Sequence, residues 1–579
     1  MNNPIDLIME SVSSYFQSSA VLSSVLMESL RYLLPALAFL ILLRCARSML
    51  TQQRQPELWA WLTVNGEVSV PITHWENMLG RNPRSDIVLN DKTVSRSHAV
   101  LTRYDDGSWS ISDIGSRGGI RVNGNKTSFQ AINYGDTVTL GALNCCLEPV
   151  TEEEAREQKE NRIPPNRRVR PLATLILLSA FQFFTMLKLY AGVKAEDLSH
   201  VTLGFLSLIA ISWLLFLIAR ISRRSGFEPE ILALFLCTMG MTILASAAPQ
   251  SIEKELLAIL AGLAIFLFLG LSLRSLERAK KIRYLVAAAG IGLLLVNLIF
   301  GQVYNGAKNW IQLGSFSFQP SELVKVCFVF VGASTLERVV ARRNLIAFIA
   351  YSGAVCLCLA FMSDFGAALI FFIAFLVIAF MRSGSFAGLA LASAATVYAA
   401  ALVLKFKPYV LSRFSAWGHV WDFATEPGGY QQTRAMMCIA SGGLFGLGGG
   451  KGFMKYVAAS DTDLVFSLIS EEWGLVLALL TVLALLILAA FALRSLLMGR
   501  SCFYSIGAIS AVTIMLVQAI LNVFGTVDLL PLTGVTFPFV SNGGSSMMAS
   551  WGLLAFIKAA DTRANASFAI RLRERGRTE

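Results

Sequence analysis

Charge is what this sequence has least of. Asp, Glu, Lys and Arg make up 15% of its 579 residues, against about 25% in soluble domains. With 55% hydrophobic residues and a mean hydropathy of +0.59, that deficit excludes a wholly water-solvated enzyme and makes lipid the solvent for most of the chain. Metal-like cysteine spacing is also missing. Nine cysteines are present without a CxxC pair, which excludes a zinc ribbon and leaves no disulfide framework to read. Cys237, Cys327, Cys356, Cys358 and Cys502 lie in or beside apolar runs and read as small packing residues. Cys145 and Cys146 read as one side chain in and one out of a strand. No small-residue cleavage site follows the first apolar run, which ends at Leu43 with Arg44 and Arg47 behind it, so no removable leader is expected. The excess of 49 basic over 38 acidic residues gives a net charge of +11. The bases fall in short loops between apolar runs, where they orient spans and do not mark a nucleic-acid surface.

A membrane-crossing helix takes about 20 mostly apolar residues. The first such run spans 21–43, within an N-terminal unit 1–50. From 57 to 149 the character changes to short alternating segments, among them 59–64, 97–102 and 108–112. Asn65-Gly66, Asp106-Gly107, Asn123-Gly124 and Gly135-Asp136 punctuate them. That pattern predicts an antiparallel all-β sandwich. A basic linker, 150–171, follows. Apolar runs then recur at 172–191, 201–219, 230–248, 256–273, 284–301, 322–336, 345–361, 365–381, 386–404, 464–493, 503–527 and 543–560, about thirteen spans with the first. They divide into a helix pair, 172–225, a core, 226–561, and a basic tail, 562–579. Basic clusters such as Arg220/Arg223/Arg224, Arg274/Arg278, Arg338/Arg342/Arg343 and Arg494/Arg500 follow alternate spans. They predict a cytoplasmic sandwich, an external N-terminus and an external loop 405–463. A loop that long, carrying Trp417, Trp421 and Tyr430, is read as ordered and functional.

Three charges sit where a membrane scaffold avoids them. Glu322 and Lys325 open the span after Pro320, spaced to neutralise each other on one helix face. A charge at mid-bilayer costs about 2.5–3.5 kcal/mol on insertion scales. The pair therefore reads either as functional or as an interfacial salt bridge. Asp364, followed by Gly366, reads as a buried functional acid or a turn residue.

Asn305-Gly306-Ala307-Lys308-Asn309-Trp310-Ile311, followed by Gln319-Pro320-Ser321-Glu322 and Lys325, resembles the signature of the SEDS family (shape, elongation, division and sporulation; RodA, FtsW and SpoVE). In the same order, Asp364-Phe365-Gly366 resembles its Asp-Leu-Gly and Gly429-Tyr430-Gln431 its Gly-Tyr-Gln. Ser441-Gly442-Gly443-Leu444 with Gly446 and Gly448 resembles its glycine-rich turn. Thr462-Asp463, Phe466, Glu471-Glu472 and Gly474 resemble its Thr-Asp-Phe…Glu-Glu-x-Gly run. Gln518, Asn522, Pro531, Thr533-Gly534, Pro538 and Ser541-Asn542-Gly543-Gly544-Ser545 resemble its C-terminal signature. The likeness covers 226–561. It implies a polytopic α-helical plasma-membrane protein with a SEDS bundle of about ten helices, so about three N-terminal spans are extra.

The implied activity is peptidoglycan glycosyltransfer: polymerisation of lipid II into glycan strands outside the membrane, in elongation, division or sporulation. The implied partner is a class B penicillin-binding protein transpeptidase. Counting from Trp417 puts the family's catalytic aspartate at Asp422, and Glu426 is the rival carboxylate. Lys308, Trp310, Glu322, Lys325, Asp364, Tyr430, Gln431, Asp463, Glu471 and Ser541 are the implied substrate contacts. Diphosphate is already a good leaving group, so a base matters more than an acid. Positive charge must meet the departing anion, from Lys325, Lys308, Arg413 or Arg434, or from N–H groups along glycines 442–450. A divalent cation is the one cofactor left open. The rival readings are a lipid II flippase, which needs no external base, and a non-catalytic scaffold of the wall-synthesis complex.

Within 57–149, Gly80-Arg81, Ser95-Arg96-Ser97-His98 and Asn123-Gly124 resemble a forkhead-associated (FHA) domain. The resemblance implies a phosphothreonine protein as partner. Arg81 and Ser95 would hold the phosphate, with Arg96, Arg117 and Asn123 nearby. His98 would brace the loop. One departure stands out: Gly118 occupies the place of the asparagine that grips the peptide backbone.

Overall fold

The structure, a computed structural model, describes residues 20–51, 58–74, 76–83, 85–103, 107–160, 170–222, 224, 226–274, 276–304, 306–314, 316–335, 342–383, 386–406, 416–426, 428–497 and 502–561.

Helix α1 (Ala20–Thr51) leads into eleven strands. These are β1 (Ala60–Val64), β2 (Val68–Ile72), β3 (Glu76–Gly80), β4 (Ile87–Val88), β5 (Ala99–Arg103), β6 (Trp109–Asp113), β7 (Ile120–Val122), β8 (Asn125–Thr127), β9 (Phe129–Ile132), β10 (Thr137–Leu140) and β11 (Leu143–Pro149). One sheet runs β2-β1-β11-β10-β7-β8 and the other β4-β3-β5-β6-β9. Leu62, Leu79, Leu101, Trp109, Ile111, Ile120, Val138 and Leu147 fill the space between them. At the β7–β8 hairpin Asn123 and Gly124 both take positive φ, 51° and 85°, the backbone a two-residue turn demands. Cys145 points into the core, where burial pushes its thiol up to about 12, while Cys146 is half-buried. The first and last strands pair antiparallel with Ala60 opposite Pro149, so the chain enters and leaves the domain at one place.

The linker is not wholly irregular: α2 (Glu152–Glu160) follows β11, and Trp61 of β1 donates its indole N–H to Glu154 at 3.3 Å. The bundle then comprises α3 (Pro171–Leu189), α4 (Leu198–Ile221), α5 (Glu228–Ala247), α6 (Ile252–Ser272) and α7 (Leu276–Phe300). A three-stranded sheet follows, β12 (Gln302–Tyr304), β13 (Ala307–Leu313) and β14 (Phe316–Phe318). After it come α8 (Pro320–Thr335), α9 (Arg342–Phe361), α10 (Phe365–Ser383), α11 (Phe386–Phe406), α12 (Tyr430–Gly442), α13 (Val465–Trp473), α14 (Leu475–Leu497), α15 (Cys502–Thr526) and α16 (Gly544–Ala559). Among the described residues eight helices are long and apolar enough to cross a membrane, and α9 and α10 carry shorter apolar stretches. The chain is a multi-pass membrane protein.

The expected span over 464–493 is two helices. Gly474 sits between them at φ +91°, where a Cβ would meet the Leu444 carbonyl oxygen at 2.3 Å, so neither a side chain nor a continuous helix is accommodated there.

Helix α5 is enclosed almost throughout, whereas α7 is largely exposed. The additional helices α1, α3 and α4 pack on α5, and α1 also lies along α14. Arg44 of α1 donates to Thr174 Oγ1 of α3 at 3.1 Å, so α1 and α3 meet at the end from which the sandwich departs. At the same end of α5, Ser48 donates to Glu228 at 2.5 Å. Lys558 of α16 pairs with Glu230 at 3.0 Å and donates to the Gly226 carbonyl at 2.5 Å. All four of these side chains are buried. Removing one member of a buried ion pair strands the other charge and costs about 3–5 kcal/mol. Lys558→Met is expected to lower the melting temperature in detergent sharply, and Glu230→Leu/Lys558→Met to regain most of the loss.

Candidate functional site

Pro320 opens α8 and places Glu322 and Lys325 on the same inward face, where they pair at 2.5 Å. Lys325 is 1% exposed, so the ammonium is compensated inside the bundle by its own helix. Asp364 stands just before α10 and does two things. One carboxylate oxygen accepts the Ala367 N–H at 3.1 Å, capping the helix. The other receives the amides of Asn309 and Gln319, each at 3.4 Å. It is therefore a turn residue and, at the same time, the hub of a polar cluster. Gln319 in turn donates its backbone N–H to Ser545 at 3.0 Å, joining the start of α8 to the start of α16.

A second set of bonds extends this polar floor. Ser541 donates to the Thr462 carbonyl at 2.5 Å and accepts the Phe537 N–H at 2.8 Å. Asn542 donates its amide to Asp461 at 2.7 Å and its backbone N–H to the Asp461 carbonyl at 2.8 Å. Asn522 bridges the carbonyls of Asp463 and Val535 at 2.9 Å each. Gly534 lies against the Asp463 carboxylate and Gly366 against Thr533. Segments around 309–325, 364–366, 461–463, 522 and 533–545 thus meet in one place. Sequence reading did not single out Asp461, and its place beside Thr462-Asp463 was the available signal.

The loop carrying Asp422 is anchored at its base. Trp417 donates to the Leu529 carbonyl at 3.3 Å, and the Gly418 N–H to Asp528 at 3.1 Å. Asp528, also missed, holds φ 60° to reach it. Asp422 lies on an exposed turn with its N–H on the His419 carbonyl at 3.0 Å, and no described residue bonds its carboxylate. Glu426 is exposed too, but its carbonyl accepts the N–H groups of Gly429 and Tyr430 at 3.1 and 2.9 Å, which starts α12. Gln431 donates to the Ala458 carbonyl at 2.9 Å. Tyr430 supports the Arg434 guanidinium 5.0 Å above its ring. Arg413 lies outside the described residues.

Other residues named from the sequence have structural tasks. Lys308 donates to the Leu298 and Ile299 carbonyls at 2.7 and 3.3 Å, closing the end of α7. Trp310 is a half-buried member of β13, opposite Gln302. Glu471 accepts the N–H groups of Phe453 and Met454 at 2.9 and 2.7 Å. Its neighbour Glu472 accepts from Ser246 at 2.5 Å, Gly450 at 2.9 Å and Gly452 at 3.3 Å. The N–H groups of Gly446, Leu447, Gly448 and Lys451 are bonded to backbone carbonyls. The glycine turn is therefore a close-packed, internally bonded element whose Gly446, Leu447, Gly448, Gly450, Lys451 and Gly452 amides are already engaged. Among the described residues no three His, Cys, Asp or Glu side chains gather as metal ligands would.

In the sandwich, Ser95 accepts the Arg117 N–H at 3.1 Å, and the Arg81 N–H donates to the Ser95 carbonyl at 3.0 Å. Arg81, Arg96 and Arg117 are exposed around the half-buried Ser95. His98 is fully buried, with Nδ1 accepting the Ser95 N–H at 3.1 Å and Nε2 at 3.1 Å from the Gly119 carbonyl. Asn123 is spent on its own hairpin: its amide donates to Asp136 at 2.9 Å, and its oxygen accepts the Thr137 N–H at 3.0 Å. The Asn133 N–H and then the Asn123 amide, both donating to it, hold the Asp136 carboxyl below its ordinary range.

Residues 230–566 match the cell cycle protein family of FtsW, RodA and SpoVE. Residues 65–151 match the cytoplasmic domain of the inner membrane component of type III secretion systems. A probable peptidoglycan glycosyltransferase FtsW of Tolumonas auensis is 30% identical over 348 residues, 56% of this chain and 90% of that protein. A chain from a peptidoglycan synthase complex, solved for the coordination of polymerization and crosslinking, is 27% identical, with 57% of this chain and 96% of that one covered at a TM-score of 0.48. The FHA domain of a Chlamydia trachomatis protein is 28% identical, with 16% of this chain and 99% of that one covered at a TM-score of 0.16.

Because Glu472 satisfies three donors at once, Glu472→Ala should cost about 2–3 kcal/mol and open the turn over 443–456 to protease. Glu472→Gln, which keeps an acceptor, should lose less; thermal melting and limited proteolysis of the purified chain measure both.

Proposed function

The chain belongs to the FtsW, RodA and SpoVE family of cell cycle proteins, and on that premise we propose that it is a peptidoglycan glycosyltransferase that polymerises lipid II. The observation that carries this reading is the polar floor at Gln319, Glu322, Lys325, Asp364, Asp461–Asp463 and Ser541–Ser545, together with the exposed carboxylate of Asp422 on a loop anchored at Asp528 and Leu529. Asp422 takes the proton of the attacking sugar 4-hydroxyl as its oxygen bonds the anomeric carbon of a second lipid II. The bond from that carbon to the diphosphate breaks, and undecaprenyl diphosphate departs with the electron pair. Of the cations named for this role, Lys308 is held by helix carbonyls and Lys325 by Glu322, so Arg434, poised over Tyr430, is the described one proposed to meet the departing anion. A class B penicillin-binding protein that crosslinks the new strand is the proposed partner.

Basic residues at the ends of alternate spans support a cytoplasmic sandwich and an external catalytic loop. On the cytoplasmic side the sandwich reads as an FHA module, with Arg81 and Ser95 receiving a phosphothreonine.

The decisive assay is glycan polymerisation from purified lipid II, with and without the transpeptidase. Asp422→Ala is expected to reduce the rate by about 10²-fold or more, with Glu426→Ala within a few-fold of the parent. Full activity in Asp422→Ala overturns the assignment, and lipid II movement across vesicles without polymer favours a flippase. For the sandwich, Arg81→Ala should abolish binding of a phosphothreonine peptide. Gly118→Asn should tighten it, because a Cβ there meets no atom within 4 Å. Equal binding of the unphosphorylated peptide would rule out phosphate recognition.

A further inference from the structure

The additional helices build a second feature beside the glycine turn. The α3–α4 connection presses on it: a Cβ on Gly192 would lie 2.0 Å from the Gly449 carbonyl oxygen. Tyr32 of α1 meets Phe445 edge-on at 4.9 Å. At this junction Lys188, in the last turn of α3, is 6% exposed. Its ammonium lies 5.2 Å from the centre of the Trp473 ring and makes no hydrogen bond or ion pair with a described residue. The charged groups close enough to act on it are Arg31, Glu28 and Lys451. Glu28 is already engaged by Arg31 at 3.4 Å, and Arg31 Nε is buried without an acceptor. Lys451 is exposed on the glycine turn.

Among the described charged groups that act on Lys188, two are cations and one is a carboxylate. Burying an ammonium is strongly unfavourable unless an anion or full hydrogen bonding offsets it, and a cation–π contact returns only part of that cost. Among the described residues no carboxylate besides Glu28, which Arg31 engages, acts on the Lys188 ammonium. On α1 and along the glycine turn, Tyr32, Leu447, Phe453 and Tyr456 expose large side chains, a surface an acyl or prenyl chain would cover.

We propose that Lys188, Arg31 and Lys451 bind the phosphate or diphosphate group of a membrane lipid, seated between the additional helices and the glycine turn. The site stands apart from the polymerase reading, because what reports it is binding and not turnover.

The test uses the full-length chain in detergent, titrated separately with phosphatidylglycerol, undecaprenyl diphosphate and inorganic diphosphate, with bound adducts counted by native mass spectrometry. Lys188→Gln and Lys451→Gln are each expected to weaken at least one lipid by about tenfold, and Lys188→Arg to restore it. Lys194→Gln, which removes an exposed lysine paired with Glu196 at the same end, should bind as the parent does. A loss confined to phosphatidylglycerol identifies a phospholipid site, and one confined to undecaprenyl diphosphate a prenyl diphosphate site. Inorganic diphosphate binding with the same variant pattern means that the headgroup suffices. If Lys188→Gln does not fold, Lys451→Gln at its exposed position carries the test. Parent-like binding of all three probes by the folded variants overturns the proposal.

Discussion

Glu471 and Glu472 stand side by side at the end of a short buried helix and receive the N–H groups of Gly450, Gly452, Phe453 and Met454 together with the Ser246 hydroxyl. In a lipid-solvated bundle irregular backbone survives only where protein groups satisfy it, and these two carboxylates are how this chain meets that condition. They hold the glycine turn against α13, and the turn is the surface on which the α3–α4 connection rests. The same principle governs the ion pairs Glu322–Lys325 and Glu230–Lys558. Each is a charge kept within the bundle by a partner of opposite sign.

The long spans and the sandwich were legible because hydropathy and strand alternation are properties of local sequence. What was not legible follows from the same fact. The run over 464–493 carries Glu471, Glu472 and Gly474 within it, but hydropathy alone still reads it as one span; its break at Gly474 comes from the distant Leu444 carbonyl, which occupies the space a Cβ would need. The sheet 302–318 has outer strands of only three residues, too short for a period to register.

At the candidate site, the sequence exposed unusual charges but not their employment. Glu322 and Lys325 were readable as a pair because both lie on one helix. Glu471 reads identically whether it contacts substrate or backbone, and only the positions of Phe453 and Met454 separate these. Asn123 is similar: the hairpin that makes it recognisable also uses up its amide. Lys188 was invisible as anything but the polar end of an apolar run, since its isolation depends on what three other segments fail to supply.

The adjacency of the sandwich's two ends has a mechanical meaning. Ala60 pairs with Pro149, and Arg44 joins Thr174 just beyond, so α1 and α3 form a helical hairpin whose connecting loop is an entire domain. Force applied to that domain arrives at the closed end of the hairpin. It parts the two helices one turn at a time, as in unzipping, whereas a domain hung from a single terminus would load its helix along its whole length in shear. A modest tug on the sandwich therefore meets only the resistance of the nearest contacts, Arg44 with Thr174 between the two helices and Ser48 with Glu228 holding the end of α1 to α5.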